Sequence, residues 1–394
     1  MKSTSLLVLM LILKVVDEMQ CDCVLSLKDD FGSPSAVYLH GDSYLLPGGK
    51  KGVSVRRAAA ITVACPGRAV VLGNYSTGVE DLEVKCVSNT TFSAGARRWR
   101  GEFKAISCSS QPYFTALETR QACYRSGQTS VKVGYTVAGK LYTLYTACFD
   151  RGTMSTLFVQ HDLSPSSFYS QIGRRPQFTG GDLFGKFPIA DLYKLTHQKD
   201  RINAVLGSNM DSTYLTKKEF LTRGHLAANA DFSLRALKRA SFHYVNVAPQ
   251  WKRGNSGDWA AFEDGLRRRV HSSNSSVTVY TGTHGVLRLP SPQGEKEFYL
   301  HTDENNNDVA PVPLYFYKLV YDPKRKTATA FVTVNSSFYN QTTTDRLTFC
   351  DDVCGAISWL KLRNDGTHSF CCSYEDFVET VDHVVGLDVK GLYK

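Results

Sequence analysis

Between Thr222 and Arg269 lies the densest set of side chains able to do chemistry in this chain of 394 residues. Nine lysines and arginines (Arg223, Arg235, Lys238, Arg239, Lys252, Arg253 and Arg267–Arg269) stand there against four acids, Asp231, Asp258, Glu263 and Asp264. That excess is more than half of the formal net charge of +9, in about an eighth of the length. The cations alternate with Phe232, Phe242, Tyr244, Trp251, Trp259 and Phe262, a mixture that suits a phosphate backbone. A charge run is as often a solvated helix face, so charge alone decides nothing. His225 follows the flexible Gly224, and an imidazole is the side chain that ordinarily titrates near neutrality. Asn255 stands at the entrance of a helix, and Glu263 and Arg267 are spaced i,i+4. Singly, each has a bland account: a satisfied histidine, a helix-entry cap, a surface ion pair.

Such side chains need elements to hold them. Phe220–His225 reads as a strand, and His243–Gln250 as a second strand stopped by Pro249. Residues 253–257 read as a turn. Gly257–Val270 reads as an amphipathic helix with Trp259, Phe262, Leu266 and Val270 on one face. The local order is strand, strand, helix, with His225 on the first strand and Asn255 at the helix entrance. His243, between Phe242 and Tyr244, reads as structural.

In this order and spacing, Thr222-Arg223-Gly224-His225-Leu226, Asn246-x-x-Pro249-Gln250, Asn255 and Trp259-x-x-x-Glu263-x-x-x-Arg267 resemble the signature of the DNA/RNA non-specific endonucleases of the ββα-metal superfamily. The secreted arthropod branch, with its crustacean and duplex-specific nucleases, is the nearest likeness. The resemblance covers about 130–394, and the N-terminal part is similar to that branch's extra domain. It implies His225 as general base and Asn255 as the single direct protein ligand of one Mg²⁺, with Mn²⁺ as a substitute. Glu263 would hold metal-bound waters, Arg267 would fix Glu263 or a phosphate, and Arg223 would contact the scissile phosphate. Arg174, Arg175, Asn246 and Gln250 are further substrate-binding candidates, the last two more structural or orienting. The implied products carry 5′-phosphates and the implied sequence preference is slight, since phosphate contacts carry little base information. Double-stranded DNA is the first expected partner, followed by single-stranded DNA and RNA. One departure stands out: the family motif usually opens with Asp, where this chain has Thr222. A secreted nucleic-acid-binding protein without catalysis is therefore the second reading. Gly254-Asn255-Ser256-Gly257-Asp258 faintly resembles a serine-protease nucleophile loop, but no matching histidine segment accompanies it.

Composition sets the frame. At 42% hydrophobic, 11% aromatic and 21% charged, the chain is neither disordered nor collagen-like nor a coiled coil. Its length suggests two domains. Lys2 precedes the apolar run Leu6–Leu13, far shorter than the roughly 20 residues of a bilayer span. Basic then apolar is the order of a secretory signal, so residues 1–22 are an expected leader of a secreted protein with no membrane partner. Eleven cysteines fit an oxidising compartment, with ten left if cleavage removes only Cys21. A zinc site of Cys350, Cys354, Cys371 and Cys372 is the poorer account, because adjacent Cys371 and Cys372 are awkward tetrahedral ligands. Glycosylation sequons at Asn74, Asn89, Asn274, Asn335 and Asn340 suit the same export route.

Short strands between Gly, Pro, Asn and Ser make 23–125 a β-rich, disulfide-stapled module ahead of a catalytic domain at 126–394. Strands are expected at Val131–Val137, Leu141–Ala147, Leu157–Gln160, Val277–Thr281, Leu314–Val320 and Thr327–Val334. Leu234–Ala240 and Val353–Leu362 read as helices. The expected class is α+β with a substantial antiparallel sheet; nothing in the sequence speaks to oligomeric state.

Overall fold

The computed structural model describes residues 22–49, 52–363, 366–384 and 386–394. The expected leader, apart from Asp22, and Cys21 lie outside the described residues. Among the described residues no helix is long and apolar enough to cross a membrane.

The fold class is α+β. The N-terminal part is built on a six-stranded sheet in the order Trp99–Glu102, Thr91–Ala94, Asp81–Ser88, Ala60–Ala64, Val37–His40, Ser43–Tyr44. Two smaller sheets flank it. Its alternating strands bury one face: Ile61 and Val63 lie inside while Thr62 between them is half-buried. Disulfides Cys23–Cys86 and Cys65–Cys108 tie this part together.

The larger part is organised by a nine-stranded sheet. Its path runs Thr115–Ala122, Gln128–Val137, Lys140–Asp150, Ser155–Leu163, Val277–Val286, Pro313–Asp322, Thr327–Val334, Ser369–Cys372. All these neighbours pair antiparallel, and Gly391–Leu392 adds to Thr327–Val334 in parallel. The first strand, Thr115–Ala122, lies on the N-terminal side of the division at 125 yet pairs with Gln128–Val137. A hairpin cannot be split between two sheets, so the large sheet begins before that division.

Period-2 alternation on Pro313–Asp322 gives the sheet two buried faces. Phe316 and Val320 join the core beneath the helix Asp258–Ser273, while Tyr315, Tyr317 and Leu319 join a second core with Phe370, Phe377 and Val381. The helix meets the first face through Trp259, edge-on to Phe316 at 5.7 Å, and Phe262, stacked on Phe331 at 4.3 Å.

Three local expectations are corrected. Val353–Leu362 is not a helix but a single 3₁₀ turn, Cys354–Ala356. Disulfides Cys350–Cys372 and Cys354–Cys371 bind this segment to a strand, and Asp352 Oδ1 accepts from the backbone N–H groups of Cys354 and Cys371, which dictates its path. These pairs also dispose of the zinc alternative. With Cys123–Cys148, every described cysteine is paired. The second strand of the site starts only at Val247, because Tyr244–Asn246 forms a 3₁₀ turn capped by His243 Nδ1, which accepts from Val245 N. The turn expected at 253–257 is a short helix, Lys252–Ser256, whose first N–H groups donate to Phe220 O and Glu219 Oε1.

Of the five sequons, four have exposed asparagines, at 74, 89, 274 and 340. Asn335 is buried: its amide donates to Pro249 O and Pro313 O and accepts from Trp251 N. It fastens the two-stranded hairpin to the large sheet and is closed to a glycan.

Candidate active site

Strand Leu221–His225 pairs antiparallel with Val247–Trp251, placing Thr222 opposite Gln250 and Gly224 opposite Ala248. Glycine is required at 224, because a Cβ there would lie 2.5 Å from Gln250 Oε1 and 2.7 Å from Gln250 Cβ. His225 ends the strand between Phe178 and Phe242, with ring centroids at 5.2 and 5.0 Å. Among the described residues, its buried Nε2 has no hydrogen-bond partner. Burial, then the charges of Arg175 and Lys318, pull the imidazole down to about 3, so it is neutral at physiological pH.

Thr222 explains how Asn255 is aimed. The Thr222 hydroxyl donates to Gln250 O at 2.8 Å, so it can only accept from Asn255 at 2.9 Å. The atom facing Thr222 must then be the amide nitrogen, and Oδ1 is left for the cavity that Asn255 lines.

Behind these residues lies a layer of buried charge. Glu263 Oε1 stands 3.3 Å from Lys318 Nζ, with the lysine side chain 1% and the glutamate 16% exposed. Lys318 also donates to Leu226 O and Thr281 Oγ1, both at 2.9 Å, and lies over the Trp259 ring. Burial pushes the Glu263 carboxyl up against the pull of Lys318. Arg267 Nη1 donates to Asp231 Oδ1 at 2.9 Å, and His161 Nε2 meets Asp231 Oδ2 at 3.0 Å. Burial opposes the Asp231 charge, but the His161 hydrogen bond and Arg267 hold its carboxyl well below the usual range.

A cavity of about 950 Å³ opens over His225, Asn255 and Glu263. Arg174, Arg175, Arg223, Arg235, Lys238 and Arg239 line it against one acid, Glu263. The Arg223 guanidinium is caged by Tyr193, Phe178 and Tyr244, and its Nε donates to Tyr244 Oη at 3.1 Å. Helix Arg235–Ala240 presents the next three cations. It is seated by two buried sheet tyrosines, Tyr135 donating to Ala236 O and Tyr145 to Ala240 O. A concave, strongly cationic site with a neutral imidazole at its floor suits an anionic, phosphate-bearing ligand.

The profile of the DNA/RNA non-specific endonuclease family matches residues 126–377. The chain belongs to that family. Over 339 residues it is 30% identical to a salivary endonuclease of Lutzomyia longipalpis, covering 83% of this chain and 74% of that one. It is 24% identical to salivary protein Tsal2A of Glossina morsitans morsitans, over 88% and 86% of the two chains. A salivary endonuclease of Culex quinquefasciatus is 25% identical over 61% and 60%. The protein is thus a nuclease, its substrate is a nucleic acid, and its family depends on a divalent metal.

In this endonuclease the structure brings together His225, Arg223, Asn255, Glu263, Arg174 and Arg175 around one cavity. It does not place Asn246 or Gln250 there. Asn246 is fully buried, its amide accepting from Ala227 N and donating to Ala227 O and Ser241 O, which leaves nothing for a substrate. Gln250 is buried against Gly224, behind the hairpin. Arg267 engages Asp231, and Glu263 takes Lys318 in its place. Ser256, in the protease-like loop, donates its hydroxyl to Lys252 O. His243 is structural, as expected, capping its turn.

Sequence reasoning missed Lys318, Asp231 and His161. One signal was present: Lys318 is the only charge in the apolar run Leu314–Tyr321, where an unpaired lysine would be costly. Nothing local marks Asp231 or His161, whose partners are 36 and 70 residues away.

Proposed function

We propose that this endonuclease is a secreted, Mg²⁺-dependent enzyme that hydrolyses DNA, and RNA where it fits, with His225 as the general base. The observation that carries this reading is the unpartnered, neutral His225 Nε2 beside the cavity-facing Asn255 amide. In hydrolysis, water attacks phosphorus and gives a proton to His225 Nε2 while the bond from phosphorus to the 3′ oxygen breaks; the 3′ oxygen leaves and takes a proton from solvent, giving a 3′-hydroxyl and a 5′-phosphate. The arriving phosphate offsets Arg175, so the imidazole gains basicity when substrate is bound. Arg223, oriented by its aromatic cage, contacts the scissile phosphate. Arg174 and Arg175 hold neighbouring phosphates.

The donor set fits a hydrated hard cation: one neutral amide oxygen from Asn255, with the Glu263 carboxylate positioned for water-mediated contact. When bound there, Mg²⁺ supplies positive charge to the phosphate oxygens and the departing 3′ oxygen. Glu263, whose carboxyl is raised by burial against the pull of Lys318, orients water; Arg267 acts through Asp231 to brace the helix that carries Glu263. Preference for double-stranded DNA is the expected ranking. The expected leader at 1–22, the disulfides and the salivary names of the relatives support export.

Cleavage of plasmid, single-stranded oligonucleotide and RNA with Mg²⁺ or EDTA tests the reading. EDTA should abolish all cutting. Nucleic acid bound but left intact in Mg²⁺ would mean a binding protein on a nuclease scaffold.

Thr222 gives a finer test. Thr222→Val removes both hydrogen bonds that aim Asn255 and should raise the Mg²⁺ concentration for half-maximal cleavage about 10- to 100-fold, as loss of a ligand's supporting partner does. Thr222→Ser should restore most of it. Equal Mg²⁺ dependence in both variants would show that Thr222 does not position the ligand.

A further inference from the structure

Two loops of the N-terminal part reach the active-site cavity. Ser33 and Gln111, both exposed, line it together with Arg174, Arg175, Arg235 and Lys238. These loops are firmly built. Cys108 N donates to Pro34 O at 3.0 Å, and the Cys65–Cys108 disulfide clamps the strand just ahead of Gln111. Phe31 packs edge-on to Tyr38 and Phe103 at 5.3 and 5.4 Å. Gly32 lies so near its neighbour that a Cβ would sit 2.0 Å from Ile106 O.

The segment leading to Ser33 is tied to the cationic side through Gln171. Gln171 is 1% exposed. Its Nε2 donates to Leu27 O at 3.1 Å, and its Oε1 accepts from Arg235 N at 2.8 Å. Its backbone donates to Ser233 O, and its carbonyl accepts from Lys238 Nζ. A single buried amide therefore links the N-terminal part, the helix bearing Arg235 and Lys238, and the segment leading to Arg174 and Arg175.

We propose that the N-terminal part forms a second wall of the substrate cleft, where Ser33 and Gln111 contact sugar or base edges while the arginines hold phosphates. This rests on the cavity being the nucleic-acid site. The division of labour follows from chemistry. A hydroxyl and a neutral amide can donate and accept, but they neutralise no phosphate and release no counterion. The two walls therefore differ in their response to salt.

The test measures KM of the full chain for a DNA oligonucleotide across a salt series, in three variants whose thermal midpoints are first compared with wild type. Ser33→Ala/Gln111→Ala should raise KM about 5- to 30-fold at every salt concentration, the effect of losing two neutral hydrogen bonds, with an unchanged salt slope and the effect on KM rather than kcat. Arg174→Ala/Arg175→Ala should lower the slope by roughly 0.7–0.9 for each phosphate that is no longer neutralised. Gln111→Glu should raise KM more at low salt than at high, because its charge would face the strand. If neither change at Gln111 moves KM while the arginine pair does, the second wall is refuted and the nuclease cleft stands. If the arginine pair is also silent, the cavity is not the nucleic-acid site and both readings fall.

Discussion

His225→Ala is expected to lower kcat by roughly 10²–10⁴-fold, the usual contribution of a positioned general base, while nucleic-acid binding changes little. The ring projects between Phe178 and Phe242, and among the described residues its Nε2 has no hydrogen-bond partner, so its removal breaks no such bond. The loss should fall on turnover, because Arg174, Arg175, Arg235, Lys238 and Arg239 come from other elements and Arg223, on the same strand, is held by its own aromatic cage. Single-turnover cleavage at saturating enzyme, beside a gel-shift measurement in EDTA, separates the two effects. Cleavage reduced less than about tenfold would remove His225 from proton transfer, since even weak general-base catalysis exceeds that.

The second large effect concerns stability. Lys318→Met should cost about 3–5 kcal/mol, because it leaves the Glu263 carboxylate buried opposite an apolar side chain. Burial already raises the Glu263 carboxyl, and Lys318 is the largest influence pulling it back. For a raised carboxyl, stability is greatest below its unfolded pKa and is lost as pH rises through the folded one. Without Lys318 the folded value climbs further, so the deficit of the variant should be small in acid and widen towards neutrality. Urea unfolding at several pH values measures this. Lys318→Met/Glu263→Gln should recover much of the stability but not the activity, because a neutral amide holds waters less strongly than a carboxylate. A pH-independent deficit would show that Lys318 matters for packing alone.

The residues that lie close in sequence were the legible ones. From Leu221 to Ser273 the chain builds strand, short helix, strand and helix within about fifty residues, and local periodicity and glycine placement report such elements directly. The apolar face Trp259, Phe262, Leu266 and Val270 lies buried as its spacing implies. Val353–Leu362 misled because its apolar spacing resembles a helix, while its two disulfides impose another path. Asn246 and Gln250, read as more structural or orienting than catalytic, are buried away from the cavity: polar residues in a signature can serve the scaffold, and burial and partner geometry distinguish that service from contact with substrate.

By itself, then, the sequence determined the family and the strand-strand-helix unit, and it singled out His225, Asn255 and Glu263, which line one cavity, because these depend on spacing within about fifty residues. Tertiary structure alone decided which charges pair. Arg267 turns to Asp231, Glu263 receives Lys318 from a strand about 50 residues on, and Thr222 takes up the aiming of Asn255. It also decided that loops near Ser33 and Gln111 would face the same cavity as His225. Sheet pairing and side-chain burial bring those groups together across long stretches of chain, and no local pattern encodes the meeting.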